Sequence, residues 1–131
     1  MGIEKDFLMR QLMMLFEVIS KILRYRKKGE KGEALDEINY FYKLLKIEAN
    51  FNAMNIEQLL EYLEKDRNLT NEHIEMVAFV LKEQGELAEE TKSKLDFFRK
   101  SYFLLDKVER ESITFSMDRQ MKMAELREYL N

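Results

Sequence analysis

A chain of 131 residues, 46% hydrophobic and 36% charged, is long enough to bury a core and too charged to sit within a bilayer. With no proline, no cysteine and four glycines it excludes a turn-rich β fold, a disulfide framework, a thiolate nucleophile and a Cys-based metal site. The net charge of −3 disfavours a whole-domain nucleic-acid binder.

The first predicted helix runs from about Glu4 to Lys27. Wound at about 100° per residue, Phe7, Leu8, Leu12, Leu15, Phe16, Val18, Ile19, Ile22 and Leu23 sweep more than half of its circumference. Asp6, Arg10, Glu17, Ser20, Lys21 and Arg24 fill the remaining arc, which Met13 shares. A helix so widely apolar needs cover on two sides, from its own chain, a second copy or a partner. Arg10, Glu17 and Lys21 interrupt the run, so neither a signal peptide nor a transmembrane span is expected. The segment KGEKGE, with Gly29 and Gly32, ends the helix and makes a short hinge.

The second helix is expected over about Glu33–Ile47, with Leu35, Ile38, Tyr42 and Leu45 as its stripe and Phe41 and Leu44 widening it. The next stretch reads as a loop that tucks Phe51 and Met54 against the core. A short third helix spans about Ile56–Glu64 behind an Asn55 cap, and Thr70 caps a fourth that passes Gly85 and ends near Glu90. The fifth, about Lys92–Glu111, is apolar over a wide arc and is the expected packing partner of helix one. Ser116 caps the sixth, about Met117–Tyr129, where Met117, Met121 and Ala124 share one face and Met123, Leu126 and Leu130 an adjoining one. Six helices joined by short loops predict an all-α domain of antiparallel hairpins over 1–131, with a long N-terminal helix over 1–28 and a hairpin body over 33–131.

Several stretches carry a family resemblance. DFLMRQLMMLFEVISKIL, NLTNEHIEMVAFVLKEQGEL and KLDFFRKSYFLLDKVERESITFSMDRQMKMAEL resemble a family of uncharacterised bacterial helical proteins with tetratricopeptide-like hairpins. Asp6, Arg10, Gln11, Gly85, Phe115, Ser116 and Arg119 are the matches beyond apolar spacing. The resemblance implies a tetratricopeptide-like fold, with no activity attached. Two departures stand against a regular superhelical groove: Glu90 occupies the position of a small residue, and the closing proline is missing.

No catalytic, cofactor or metal site is expected, and the chain reads as a non-enzyme. His73, the single histidine, is expected to be exposed near the start of helix four. Thr70 stands where a Glu-x-x-His metal pair would need a glutamate, and KGEKGE lacks P-loop spacing. Glu86, Glu89 and Glu90 read as a solvated helix end. Two surfaces are candidates. Leu12, Met13, Phe16, Met117 and Met121 form a candidate interaction surface, since methionine is common at adaptable binding faces and the methionines gather toward both chain ends. Lys21, Arg24, Arg26, Lys27, Lys28 and Lys31 form a candidate anion patch, which otherwise complements the negative end of the helix dipole. The reading expected from sequence is a cytoplasmic, non-catalytic, tetratricopeptide-like interaction or scaffold module that binds a protein partner or self-associates. The alternative is binding of an anion, a nucleic acid or a membrane surface through the basic cluster.

Overall fold

A computed structural model shows an all-helical chain of α1 (Gly2–Lys27), α2 (Lys31–Leu44), α3 (Ile56–Glu61), α4 (Asn71–Leu87), α5 (Thr91–Glu111) and α6 (Met117–Leu130). The structure describes residues 2–48, 50 and 53–131, with side chains from Lys5 onward, and no strand occurs among the described residues. Phe51, expected as a core anchor, lies outside them, and Met54 is half-buried. The chain divides into two compact units, Met1–Glu48 and Ala49–Asn131.

The first unit is the α1–α2 hairpin. Its turn is set by Gly29 at φ 78°, a left-handed conformation that only glycine adopts without steric cost. The Glu30 amide donates to the Tyr25 carbonyl at 2.9 Å and the Gly29 amide to the Arg26 carbonyl at 3.0 Å, the paired bonds of a Schellman stop. Lys46, at φ 55°, closes α2 with the same two bonds. Leu15, Val18, Ile19 and Ile22 supply the buried side chains of α1, and Ala34, Ile38, Phe41 and Tyr42 those of α2. The stripe on α2 therefore runs through Ala34 and Phe41, and Leu35, expected within it, is exposed. The sequence assigned the cover of helix one to helix five; within its own unit α1 is covered by α2. That cover is partial. At about 1.5 Å per residue α1 is about 39 Å long and α2 about 21 Å, so about twelve residues of α1 extend past the hairpin. Phe7 and Phe16, expected within the covered arc, are exposed.

The second unit holds α3 to α6. Asn55 caps α3 by accepting from the Gln58 amide at 2.8 Å, while the Gln58 side chain accepts from the Asn55 amide at 2.9 Å. One π-type turn, Tyr62–Asp66, follows before the chain reverses at Asn68. Helix α4 is the central element: Ile74, Val77, Ala78, Val80 and Leu81 are fully buried. Helix α5 packs along α4, and α6 packs chiefly on α5. The α4–α5 approach is close at two points. Ser101 on α5 donates to the Ala78 carbonyl at 2.6 Å. A Cβ on Gly85 would lie 2.5 Å from the Phe98 ring, so a helix-interior glycine is required there. Lys94 ends α4 by donating to the Gly85 carbonyl at 2.7 Å and the Glu86 carbonyl at 3.3 Å. On α6, Met123 and Leu126 are buried.

Candidate functional site

Unit two buries several cations against carboxylates. Arg119, in the first turn of α6, is 3% exposed. Its Nε donates to Glu109 on α5 at 2.7 Å, its Nη1 to Glu75 on α4 at 2.6 Å, and its Nη2 to the Thr114 carbonyl at 2.9 Å. Burial works against the charged guanidinium, but the bonds to Glu109 and Glu75 outweigh it and raise its pKa. Lys82 on α4 bridges Glu86 at 3.2 Å and Glu125 on α6 at 2.7 Å. Lys107 on α5 meets Glu64 at 2.6 Å, Glu111 at 3.0 Å and the Asn71 side chain at 2.6 Å. For both lysines burial opposes the charge and the carboxylates prevail, so both pKa values are raised. Their contribution is full at neutral pH and fades only as pH climbs beyond the ordinary lysine value. Glu86, expected on a solvated end, instead pairs with Lys82 and accepts from the Tyr129 hydroxyl at 3.0 Å.

Arg119 fixes the α5–α6 connection. Ser112 ends α5, its hydroxyl bonding to the Thr114 carbonyl, hydroxyl and amide at 3.0–3.1 Å. Ser116 then caps α6 by accepting from the Arg119 amide at 3.1 Å. Between these fixed points two apolar side chains project outward: Ile113 is 101% exposed and Phe115 72%. Met117 and Met121 follow, one turn apart on α6, at 61% and 55%. The result is an apolar projection on a hydrogen-bonded turn. Sequence reasoning selected Met117 and Met121 but not Ile113 or Phe115. The signal was an apolar pair within a Ser/Thr turn too short to fold back on a core.

The other sequence-selected residues lie in unit one. On α1, Met13 and Phe16 are exposed and Leu12 is half-buried. Lys21, Arg24, Lys27, Lys28 and Lys31 are exposed, and Arg26 is half-buried. The basic residues do not share one face. Lys21, Arg24 and Lys27 lie within about 120° of arc on one side of α1, whereas Arg26 turns away from it. Arg26 and Lys31 already engage neighbouring groups.

His73 is a correction to the sequence reading, being buried at 6% exposure rather than exposed. It is the third residue of α4 and completes a capping box with Thr70. The Thr70 amide donates to its Nδ1 at 3.4 Å, and the Thr70 hydroxyl lies 2.8 Å from the same atom. Burial lowers its pKa, and the neighbouring Glu72 offsets this only in part. A depressed imidazole pKa favours the neutral form when folded, so the unfolded chain binds more protons as pH falls below about 6.5. Stability is therefore expected to be full above that pH and to drop as pH falls through the lowered value. Urea denaturation at pH 7.5 and 5.5 should show the drop. His73→Gln, which keeps the capping partner without the titration, should largely remove it.

Among the described residues no three His, Cys, Asp or Glu side chains gather to hold a metal ion, and no helix is long and apolar enough to cross a membrane. An open depression of about 370 Å³ is lined by Ala53, Met54, Gln58, Glu61, Tyr62 and Asp66. Glu61 lies 3.8 Å from Lys65, an exposed pair. No protein-family model, curated protein or solved structure matches the chain.

Proposed function

We propose that this chain is a non-catalytic protein-interaction module. The α5–α6 projection carries the reading. Ile113, Phe115, Met117 and Met121 are all exposed within one short stretch of chain, and exposed apolar surface concentrated in this way is characteristic of binding sites. The turn is ordered before any partner arrives, which lowers the entropy lost on binding. Methionine adds adaptability, because its unbranched side chain fits varied partner surfaces. The α4–α5 pair supports a tetratricopeptide-like reading of the scaffold. Gly85 and Ser101 let the two helices approach as closely as such hairpins require. The missing cysteine fits work in a reducing, cytoplasmic setting.

The test is a double variant, Ile113→Asp with Phe115→Asp. Both side chains are exposed, so melting temperature and helical content should match the wild type. In pull-downs from the native cell, the wild type should retain proteins that the double variant loses. An identical set retained by both would sink this reading.

A further inference from the structure

We propose that the outward seam of α1 docks a second copy of this chain, antiparallel, through Met9, Met13, Phe16 and Ser20. This goes beyond the interaction reading above, which rests on a different surface in the other unit. The four residues alternate by four, three and four positions, the spacing of a coiled-coil seam. Met9, Met13 and Phe16 are 51%, 66% and 50% exposed. The one polar member is already satisfied, since the Ser20 hydroxyl donates to the Phe16 carbonyl at 3.1 Å. Part of the seam lies on the stretch of α1 that extends past α2, where a second helix has access.

Charge and size together select the occupant and its direction. Arg10 and Glu17 flank one edge of the seam at equivalent heptad positions, and both are exposed. An antiparallel second copy sets Arg10 beside the partner copy's glutamate and Glu17 beside its arginine, so one two-fold axis makes two opposite-charge pairs. The same register sets Asp6 beside the second Arg24, Met9 against the small Ser20, and Met13 against Phe16. A parallel copy would instead bring Lys5 against Arg10, two like charges. From Met9 to Ser20 the seam is only about 16 Å long, which places the contact in the small, reversible class.

Sedimentation equilibrium on the full chain at low salt tests this. The wild-type mass should rise from 15.9 kDa toward twice that value as concentration passes through the micromolar range. Arg10→Glu and Glu17→Arg should each weaken association about tenfold, and combining them should restore it to within about threefold of wild type. Circular dichroism should show all three variants folded, because both positions face solvent. The chain has no cysteine, so direction is testable by oxidation. Met13→Cys mixed with Phe16→Cys should form the mixed disulfide faster than either forms its own. Three results would overturn the proposal: a wild type that stays monomeric at about 1 mM, a double variant no tighter than the singles, or preferred self-linking of Met13→Cys. The Ile113→Asp/Phe115→Asp variant should dimerise like the wild type, which keeps the two surfaces separable.

Discussion

Arg119→Met is expected to destabilise the chain by about 3 kcal/mol, the largest loss from any single substitution considered, and to lower Tm by about 10 °C. Methionine matches much of the side-chain volume, so the cost is electrostatic rather than a cavity. Three elements lose a shared donor: Glu75 on α4, Glu109 on α5 and the Thr114 carbonyl. The side chains of Glu75 and Glu109 keep 20% and 36% exposure, so water recovers part of their solvation and holds the loss near the lower end for a broken buried pair. Glu75→Gln or Glu109→Gln should cost only about 1 kcal/mol, because a neutral acceptor remains. Arg119→Lys should fall between, since one ammonium cannot span three acceptors that a planar guanidinium reaches at once. Urea denaturation gives the energies. Amide exchange gives the local consequence, with Ile113 to Phe115 exchanging faster in Arg119→Met. A loss below about 1 kcal/mol with unchanged exchange would show that the arginine does not hold the turn.

Gly85→Ala sets two effects against each other. Alanine gains up to about 1 kcal/mol over glycine inside a helix. Against that, the added Cβ falls 2.5 and 2.6 Å from two Phe98 ring carbons. Phe98 is fully buried and stacks on Tyr129 with ring centres 4.4 Å apart, so the ring has little room to retreat. Overpacking of this kind costs about 1–3 kcal/mol. Since the atoms overlap outright, the upper part of that range applies and the net expected loss is about 1–2 kcal/mol. A double-mutant cycle with Phe98→Leu isolates the cause: in that background Gly85→Ala should cost far less or become stabilising. An equal cost in both backgrounds would assign the glycine another role.

Apolar spacing and caps carried most of the fold in the sequence. Asn55, Thr70 and Ser116 are caps because their side-chain oxygens accept from amides three residues on, and each marks a helix start within a residue. Pairing was harder to read. Helices one and five share a broad apolar arc, and breadth says nothing about which neighbour a helix meets; within unit one, a left-handed glycine after α1 brings α2 back onto it. The buried cations were invisible for another reason. Lys82, Lys107 and Arg119 stand three or four residues from the buried Ala78, Leu104 and Met123, on the buried faces of their helices, but a cation reads by residue type as solvent-facing, and only the surrounding carboxylates make its burial tolerable. The candidate surface was half legible. Met117 and Met121 stood out by residue type, whereas Ile113 and Phe115 fall in a break between helices, where apolar spacing gives no side-chain direction.

The pattern of helix neighbours bears on how quickly the molecule assembles. Helix α1 packs on α2, α4 on α5 and α5 on α6, so the main contacts within each unit join segments adjacent in the chain. Closing short connections costs little chain entropy, and domains dominated by such local contacts fold in microseconds to milliseconds. With no proline in the chain, refolding also lacks the slow isomerisation phase that delays many proteins of this size. Apolar surface destined for burial is thus exposed only briefly, and the side chains left outside at the end are those that belong there.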